Sequence, residues 1–281
     1  MEEKNYNPEH NSPLWGISTS HLADKQDFAS LLAYEPSVIE FYNYPDIDPI
    51  VKFCDRHNII PALHVPTPYN GRTPLTRFCP TASGTAQEIE AAIEMTRTTI
   101  SCAADIGALH VVVHFPTPFP PYYPITDSEI AHFFENVCDH ANSLNVNLLI
   151  ENLTPNPHFY TPDHYLRLWN DYNLHACLDV GHAHLLEPTF SVQDYIENWQ
   201  NAVKSVHLYN MTKERYSSYG HEPIEVNQSE ADGWINMKKT LDSIITKCNP
   251  RAIILEYNPM DAKGIKKSAK SWKDFKHREF L

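Results

Sequence analysis

The sequence predicts a single-domain α/β protein folded as a (β/α)₈ TIM barrel. Eight short apolar segments alternate with longer segments in which apolar residues recur every three or four positions. The chain has 281 residues, within the usual range for one such barrel, and no linker divides it, so residues 1–281 are predicted to form one domain. It holds only eight glycines and no glycine-rich phosphate loop, which argues against an open doubly wound sheet.

The predicted strands are short and rich in Val, Ile, Leu or aromatic residues, as buried parallel strands are. They span residues 14–19, 38–42, 59–65, 109–115, 147–153, 175–180, 203–208 and 253–257. The segments between them carry the apolar period of amphipathic helices. Helices are predicted at residues 48–58, 86–106, 127–145, 162–172 and 234–248. The basic stretch 263–278 is predicted to be a final helix that faces solvent.

Charge and cysteine content limit the class of partner and the compartment. The net charge of −13 argues against nucleic acid and favours a small-molecule substrate. Six scattered cysteines, with no C-x-x-C pair, indicate reduced thiols in a cytoplasmic protein. The polar N-terminus has no apolar core typical of a signal peptide, and no apolar run is long enough to cross a membrane.

Polar residues stand at the C-terminal ends of six predicted strands. Side chains alternate between the two faces of a strand, so each of these residues shares a face with the residue two positions before it. If those earlier residues fill the barrel interior, the polar residues lie above them at its mouth. Barrel enzymes place their chemistry at this mouth. The residues are His64, His114, Glu151, Asp179, His207 and Glu256, with His182 just beyond strand 6.

A divalent cation is the simplest compensation for carboxylates buried together, because no Lys or Arg occurs at these strand ends. We predict that Mn²⁺, Mg²⁺, Co²⁺ or Zn²⁺ is bound by Glu151, Asp179, His207 and Glu256. Further imidazole ligands would favour Zn²⁺, Mn²⁺ or Fe²⁺. Each residue alone could be structural, and His110, His158 and His184 are weaker candidates. The further ligands predicted are His64, His114, His182 and His221.

The segments around these residues resemble the xylose isomerase-like barrel superfamily, which includes sugar isomerases, epimerases and endonuclease IV (AP endonuclease family 2). They are HFP at 114–116, IEN at 150–152, DVGHA at 179–183, VHL at 206–208 and LEY at 255–257. The resemblance implies that Glu151 and Glu256 act as acid and base, exchanging the proton beside a carbonyl through an enediolate. It also implies that four residues surround the substrate: Glu40, Asn152, His182 and Trp15. Barrels of this superfamily are often dimers or tetramers, so a homo-oligomer is one alternative for this chain.

The resemblance to endonuclease IV implies a larger, three-zinc ligand set that includes the four additional histidines. One expected aspartate is replaced by Tyr219, the usual acidic residue after strand 7 is Asn210, and the Gly-Glu-Gly stretch is replaced by EVNQ at 225–228. Three enzyme classes therefore stay open: a sugar isomerase or epimerase, a multi-zinc phosphodiester hydrolase, and a metal-dependent lyase, dehydratase or oxidative enzyme. A barrel that binds a ligand without turnover is a further alternative.

Overall fold

The computed structural model describes residues 12–69, 86–116, 125–153, 156 and 158–280. Eight parallel strands close into a barrel in the order in which they occur in the sequence, which confirms the predicted fold class. The strands are β1 (Leu14–Ser18), β2 (Val38–Tyr42), β3 (Ile60–His64), β4 (Val111–His114), β5 (Leu148–Glu151), β6 (His175–Asp179), β7 (Val203–Leu208) and β8 (Ala252–Leu255).

Ten α-helices are found in the described part of the chain, and most follow the predicted ranges. They are α1 (Phe28–Leu31), α2 (Asp48–His57), α3 (Ala86–Ile106), α4 (Asp127–Ser143), α5 (Pro162–Tyr172), α6 (Val180–His184), α7 (Val192–Trp199), α8 (Lys213–Tyr219), α9 (Met237–Lys247) and α10 (Ala262–Phe280). Side-chain hydrogen bonds to free backbone N–H groups cap the N-termini of α4, α5 and α7. For α4, the Thr126 hydroxyl accepts from the Glu129 N–H, and the Glu129 carboxylate accepts from the Thr126 N–H.

The final helix α10 is not fully solvent-facing, so that part of the prediction was wrong. Ile265, Ala269, Trp272 and Phe275 are buried along one side, at the spacing of an amphipathic helix. The Trp272 ring packs against that of Trp15 on β1, with ring centroids 5.2 Å apart. The lysines lie between these apolar positions in the sequence. The prediction considered only the number of charged residues in the segment and therefore missed its apolar face.

The same contact removes Trp15 from the predicted substrate site. Neighbouring Gly16 faces the barrel interior, where an added Cβ would lie 2.5 Å from Ile254 Cδ1. Because strand side chains alternate, Trp15 must point outward, into the layer between barrel and helices. Its ring also lies beneath the Lys276 ammonium group, at 5.1 Å.

The barrel interior is closed below by apolar side chains and is polar only towards its C-terminal mouth. Two small interior clusters fill the lower levels, formed by Val38, Ala62, Leu109, Ala252 and Ile254, and by Val112, Leu149 and Cys177. The polar strand-end residues therefore rest on a packed floor rather than on a water-filled channel.

Two features of the described residues bear on the predicted compartment. No helix among them is long and apolar enough to cross a membrane. Five of the six cysteines lie in the described ranges and form no disulfide there, and Cys79 lies outside those ranges. A cytoplasmic location stays a prediction.

Candidate metal centre

The structure brings all eight predicted ligands together in three groups at the mouth of the barrel. Within each group the potential ligand atoms lie within 4.8 Å of one another. The central group takes one residue from each of β5, β6 and β7 and one just after β8. Glu151 also belongs to the first group, and Asp179 to the third. The first group is His64, His114 and Glu151; the central group is Glu151, Asp179, His207 and Glu256; the third group is Asp179, His182 and His221.

The central group concentrates three carboxylates around one imidazole. Nδ1 of His207 lies 3.3 Å from Oε2 of Glu151 and 3.3 Å from Oε2 of Glu256. Asp179 and His207 are paired across β6 and β7, which places both at the same level of the barrel. Among the described residues these carboxylates form ion pairs only with histidines. Burial of so much negative charge favours a bound cation.

Four histidines each have one ring nitrogen tied to an acceptor, so the other nitrogen can bind a cation. The Nδ1–H groups of His64, His182 and His221 donate to the carbonyl oxygens of Val65, Asn152 and Glu256, at 2.9, 2.9 and 3.1 Å. His207 uses its other nitrogen, as described below. Histidines that bind metals in proteins usually donate their second N–H in this way. The second nitrogen of each ring is therefore placed as in histidines that bind metals.

The first group shows directly what such a tautomer requires. Nε2 of His64 lies 3.1 Å from Oε2 of Glu151, and Nε2 of His114 lies 3.1 Å from the same oxygen. With the proton of His64 on Nδ1, its Nε2 lone pair faces a carboxylate oxygen. Two acceptors at this distance repel each other unless a proton or a cation lies between them.

Glu40 lies beneath His207 rather than open to a substrate, so the prediction that it binds substrate is not supported. It is fully buried and accepts hydrogen bonds from Nε2 of His207 at 2.9 Å and Nε2 of His110 at 3.1 Å. The physical reason is depth: Glu40 is two residues short of the end of β2, so its inward side chain lies one level below the mouth.

The side chain of Asn152 forms hydrogen bonds with the backbone of Asp179. Its Nδ2 donates to the carbonyl of Asp179, and its Oδ1 accepts from the N–H of Asp179, both at 2.8 Å. The side chain therefore ties the end of β5 to β6, and both of its polar atoms are engaged there. Of the weaker candidates, His184 pairs with Glu187 at 3.1 Å, and His158 is exposed. Neither belongs to any of the three groups.

Tyr209 is a site residue that sequence reasoning missed. Its hydroxyl donates to Oδ1 of Asp179 at 2.9 Å, and its ring stacks on that of His221 with centroids 3.7 Å apart. The available signal was its place two residues after His207. The stronger reason was invisible in sequence, because the ring fits against Gly181, where an added Cβ would lie 2.2 Å from Tyr209.

The departures from the endonuclease IV pattern also have structural explanations. Tyr219 is 53% exposed and lies against the Arg215 guanidinium, 4.3 Å from the ring centroid. The Asn210 side chain donates to Gln228 at 2.8 Å and accepts from the N–H of Ile235 at 3.1 Å. Asn210 therefore holds the loop after β7 together.

Electrostatics leave the central group poorly neutralised. Burial raises the pKa of Asp179 to about 7, with the charges of Glu151 and Glu256 adding to the effect and His182 opposing it. Burial also works against ionisation of Glu256, but His207 outweighs it and lowers the pKa of Glu256 to about 2. Burial lowers the pKa of His221 to about 4, which keeps this imidazole neutral and able to bind a metal.

The fold and these residues define a class of protein: a (β/α)₈ barrel with a candidate multinuclear metal centre at its mouth. A family model described as xylose isomerase-like TIM barrel matches residues 27–275, so the chain belongs to that family. No curated protein matches the chain.

Solved structures show the same architecture at low sequence identity. A D-tagatose 3-epimerase-like protein is 18% identical with a TM-score of 0.72, and the match covers 94% of this chain and 97% of that one. An L-ribulose 3-epimerase is 15% identical with a TM-score of 0.71, with 94% of each chain covered. An AP endonuclease family 2 protein from Brucella melitensis is 17% identical with a TM-score of 0.64, covering 92% and 99%. At these identities the likeness concerns the fold.

Proposed function

We propose that this protein is a divalent-metal-dependent isomerase or epimerase that acts on a small sugar or polyol-type substrate. The observation that carries the proposal is the central group, in which Glu151 and Glu256 approach Nδ1 of His207 from two different strands, each at 3.3 Å. The similarity to structures of a D-tagatose 3-epimerase-like protein and an L-ribulose 3-epimerase supports the substrate class.

The residues of the central group fit a divalent cation. Oδ2 of Asp179 is buried and has no hydrogen-bond partner among the described residues, and Nδ1 of His207 is buried with two carboxylate oxygens 3.3 Å away but no well-aligned hydrogen bond. Buried polar atoms without partners are costly, and a cation would satisfy both. Glu151, Asp179, His207 and Glu256 would hold Mn²⁺, Zn²⁺, Mg²⁺ or Co²⁺. When bound, such an ion polarises carbonyl and hydroxyl oxygens and so acidifies the adjacent C–H.

The two glutamates supply the acid–base chemistry in this proposal. The lowered pKa of Glu256 keeps it ionised at neutral pH, and its side chain is the most exposed of the central group, at 13%. It is therefore suited to accept the proton from the carbon beside a carbonyl. The electron pair of the broken C–H bond then forms a C=C bond and the carbonyl electrons move onto oxygen, which gives an enediolate. Burial opposes ionisation of Glu151, but the neighbouring histidines outweigh it and lower its pKa, so Glu151 would take up a proton from water before delivering it to the other face. Glu40 keeps His207 fixed beneath the substrate throughout.

Solvent exchange tests this proposal. The protein loaded with Mn²⁺ is incubated in D₂O with a panel of ketopentoses and ketohexoses, and deuterium incorporation is followed by NMR. We expect deuterium at the carbon beside the carbonyl of at least one sugar. Glu151→Gln and Glu256→Gln should lower the exchange rate by at least 100-fold. Glu94→Gln, an exposed position on α3, is the matched control and should not alter it. Absence of exchange with every sugar would contradict the proposal.

A second candidate, a multi-metal phosphodiester hydrolase, is favoured by one specific observation. The first and third groups share Glu151 and Asp179 with the central group. A shared carboxylate can bridge neighbouring cations, and paired cations suit in-line displacement at phosphorus. A duplex with one abasic site, incubated with Zn²⁺-loaded protein, tests this function. Strand cleavage by the wild type that is lost in His114→Ala would favour the hydrolase. A duplex that stays intact would exclude this function.

A further inference from the structure

We propose that Tyr209 is a positioning residue for a third metal ion held by Asp179, His182 and His221, and that its hydroxyl controls how tightly this ion binds. The proposal rests on the proposed metal dependence of the enzyme. It adds a residue outside the ligand set that contacts two of the three ligands in this group.

The first contact fixes the carboxylate of Asp179. Its Oδ1 accepts two hydrogen bonds, from the Tyr209 hydroxyl at 2.9 Å and from the N–H of His182 at 2.7 Å. Oδ2 is buried and has no hydrogen-bond partner in the described part of the chain. Two donors on one oxygen prevent the carboxylate from turning, so Oδ2 is the atom that faces the cluster. Asp179 is shared between the central and third groups, but the central group has three other ligands and the third group only two, so a change in its orientation should weaken mainly the third group.

The second contact fixes the ring of His221. The Tyr209 and His221 rings are nearly parallel, with an angle of 6° between their planes and centroids 3.7 Å apart. The Nδ1–H of His221 donates to the carbonyl of Glu256 at 3.1 Å. Stacking and this hydrogen bond together define the ring plane and its rotation, which directs Nε2 to the third group.

The backbone is adapted to admit the Tyr209 ring. Tyr209 is fully buried, and an added Cβ at Gly181 would lie 2.2 to 2.4 Å from three of its ring and hydroxyl atoms. A side chain at position 181 would therefore displace the ring or the short helix α6, which carries His182. The glycine next to one ligand thus makes room for the residue that orients the other two.

The third group depends on this support more than the central group does. It offers three protein ligands against four, and Asp179 is common to both groups. Tyr219, where the resemblance leads one to expect a further aspartate, is 53% exposed and lies against Arg215. With fewer ligands, affinity relies more on ligands that are already oriented before the ion binds.

Zinc binding to Tyr209→Phe tests the proposal, because this variant keeps the stacked ring and removes only the hydroxyl. Equilibrium dialysis with elemental analysis gives the number of ions and the Kd of each. We expect the weakest zinc of the wild-type protein to bind about 10- to 100-fold more weakly in Tyr209→Phe, with the tighter zinc unchanged within twofold. Tyr195→Phe is the matched control, because the Tyr195 hydroxyl donates to the Tyr160 carbonyl outside the three groups.

Two further variants keep the test informative. His221→Ala removes a ligand of the third group, so it should weaken the same zinc and thereby identify which ion that group holds. Gly181→Ala displaces the Tyr209 ring or helix α6 and should weaken that zinc as well if Tyr209→Phe does not fold. Equal weakening of every zinc by Tyr209→Phe, or no weakening of any, would overturn the role of Tyr209 while leaving the proposed function intact. A wild-type protein that binds no metal would overturn both.

Discussion

The buried carboxylate of Glu40 accepts a hydrogen bond from Nε2 of His207 at 2.9 Å, which leaves Nδ1 of His207 directed at the carboxylates of the central group. The second oxygen of Glu40 accepts from His110 at 3.1 Å. Burial opposes ionisation of Glu40, but the attraction of His207 and the two hydrogen bonds outweigh it and lower the pKa of Glu40. Glu40 therefore stays charged and sets the tautomer of a candidate metal ligand.

Replacing Glu40 by Gln should weaken metal binding at the central group by about 10- to 100-fold. His207 and His110 donate to the two different oxygens of Glu40, and a glutamine replaces one of these by an NH₂ group, so one histidine would face a donor. Dialysis against Zn²⁺ or Mn²⁺ measures the effect, with Glu94→Gln as the surface control. An affinity within twofold of the wild type would show that Glu40 does not orient His207 for a metal.

Metal affinity should fall as the pH drops through about 7, because Asp179 must lose its proton before it can bind a cation. Burial and the neighbouring carboxylates raise the pKa of Asp179 to about 7 in the metal-free protein. Calorimetry at pH 6 in buffers of different ionisation enthalpy should detect proton release on metal binding. Asp179→Asn should reduce this release. Equal heats in all buffers at pH 6 would contradict the assignment.

The same shift predicts how the stability of the metal-free protein depends on pH. The pKa of Asp179 is higher in the folded protein than its unfolded value of about 3.9, so the folded state binds more protons between these values. The contribution of Asp179 to the free energy of unfolding should therefore be greatest below pH 4 and decline towards pH 7. Urea unfolding of the wild type and Asp179→Asn checks this, and a decline of equal size in both proteins would contradict it.

Trp272→Ala should lower the free energy of unfolding by about 3 to 5 kcal/mol and leave metal stoichiometry unchanged. Trp272 is 2% exposed and packs on Trp15, outside the barrel and away from the three groups. Lys273→Ala is the matched control, because its ion pair with Glu35 lies on the exposed surface and should contribute little to stability. If folded Trp272→Ala loses its metal, the contact between Trp272 and Trp15 must support the metal site. This result would contradict the position of Trp15 outside that site.

Asn152→Ala should destabilise the fold by about 1 to 3 kcal/mol for each backbone group of Asp179 that it leaves unpaired. Denaturant unfolding measures this effect. Asn136→Ala is the control, because Asn136 is partly exposed and donates only to His132 within its own helix. Full stability in Asn152→Ala would mean that the amide is free to serve a substrate, as the sequence alone suggested.

The barrel and the clustering of the eight candidate ligands could be predicted because both depend on local patterns. Apolar alternation identifies each strand, and Glu151 or His207 at a strand end needs only the shared direction of parallel strands to reach the common mouth. Depth and partners are not local. Glu40 lies one level too low to be open to a substrate, and Tyr209 needs a glycine 28 positions earlier. Trp15 could have been excluded, since its neighbour Gly16 marks the inward face.

Anomalous diffraction from crystals grown with Zn²⁺ tests the metal centre most directly. We expect a strong peak enclosed by Glu151, Asp179, His207 and Glu256, at roughly 2.0 to 2.2 Å from their oxygen and nitrogen ligand atoms. Weaker peaks in the first and third groups would fit the shared carboxylates. No peak within the central group at saturating Zn²⁺ would contradict the proposal that these four residues hold a catalytic ion.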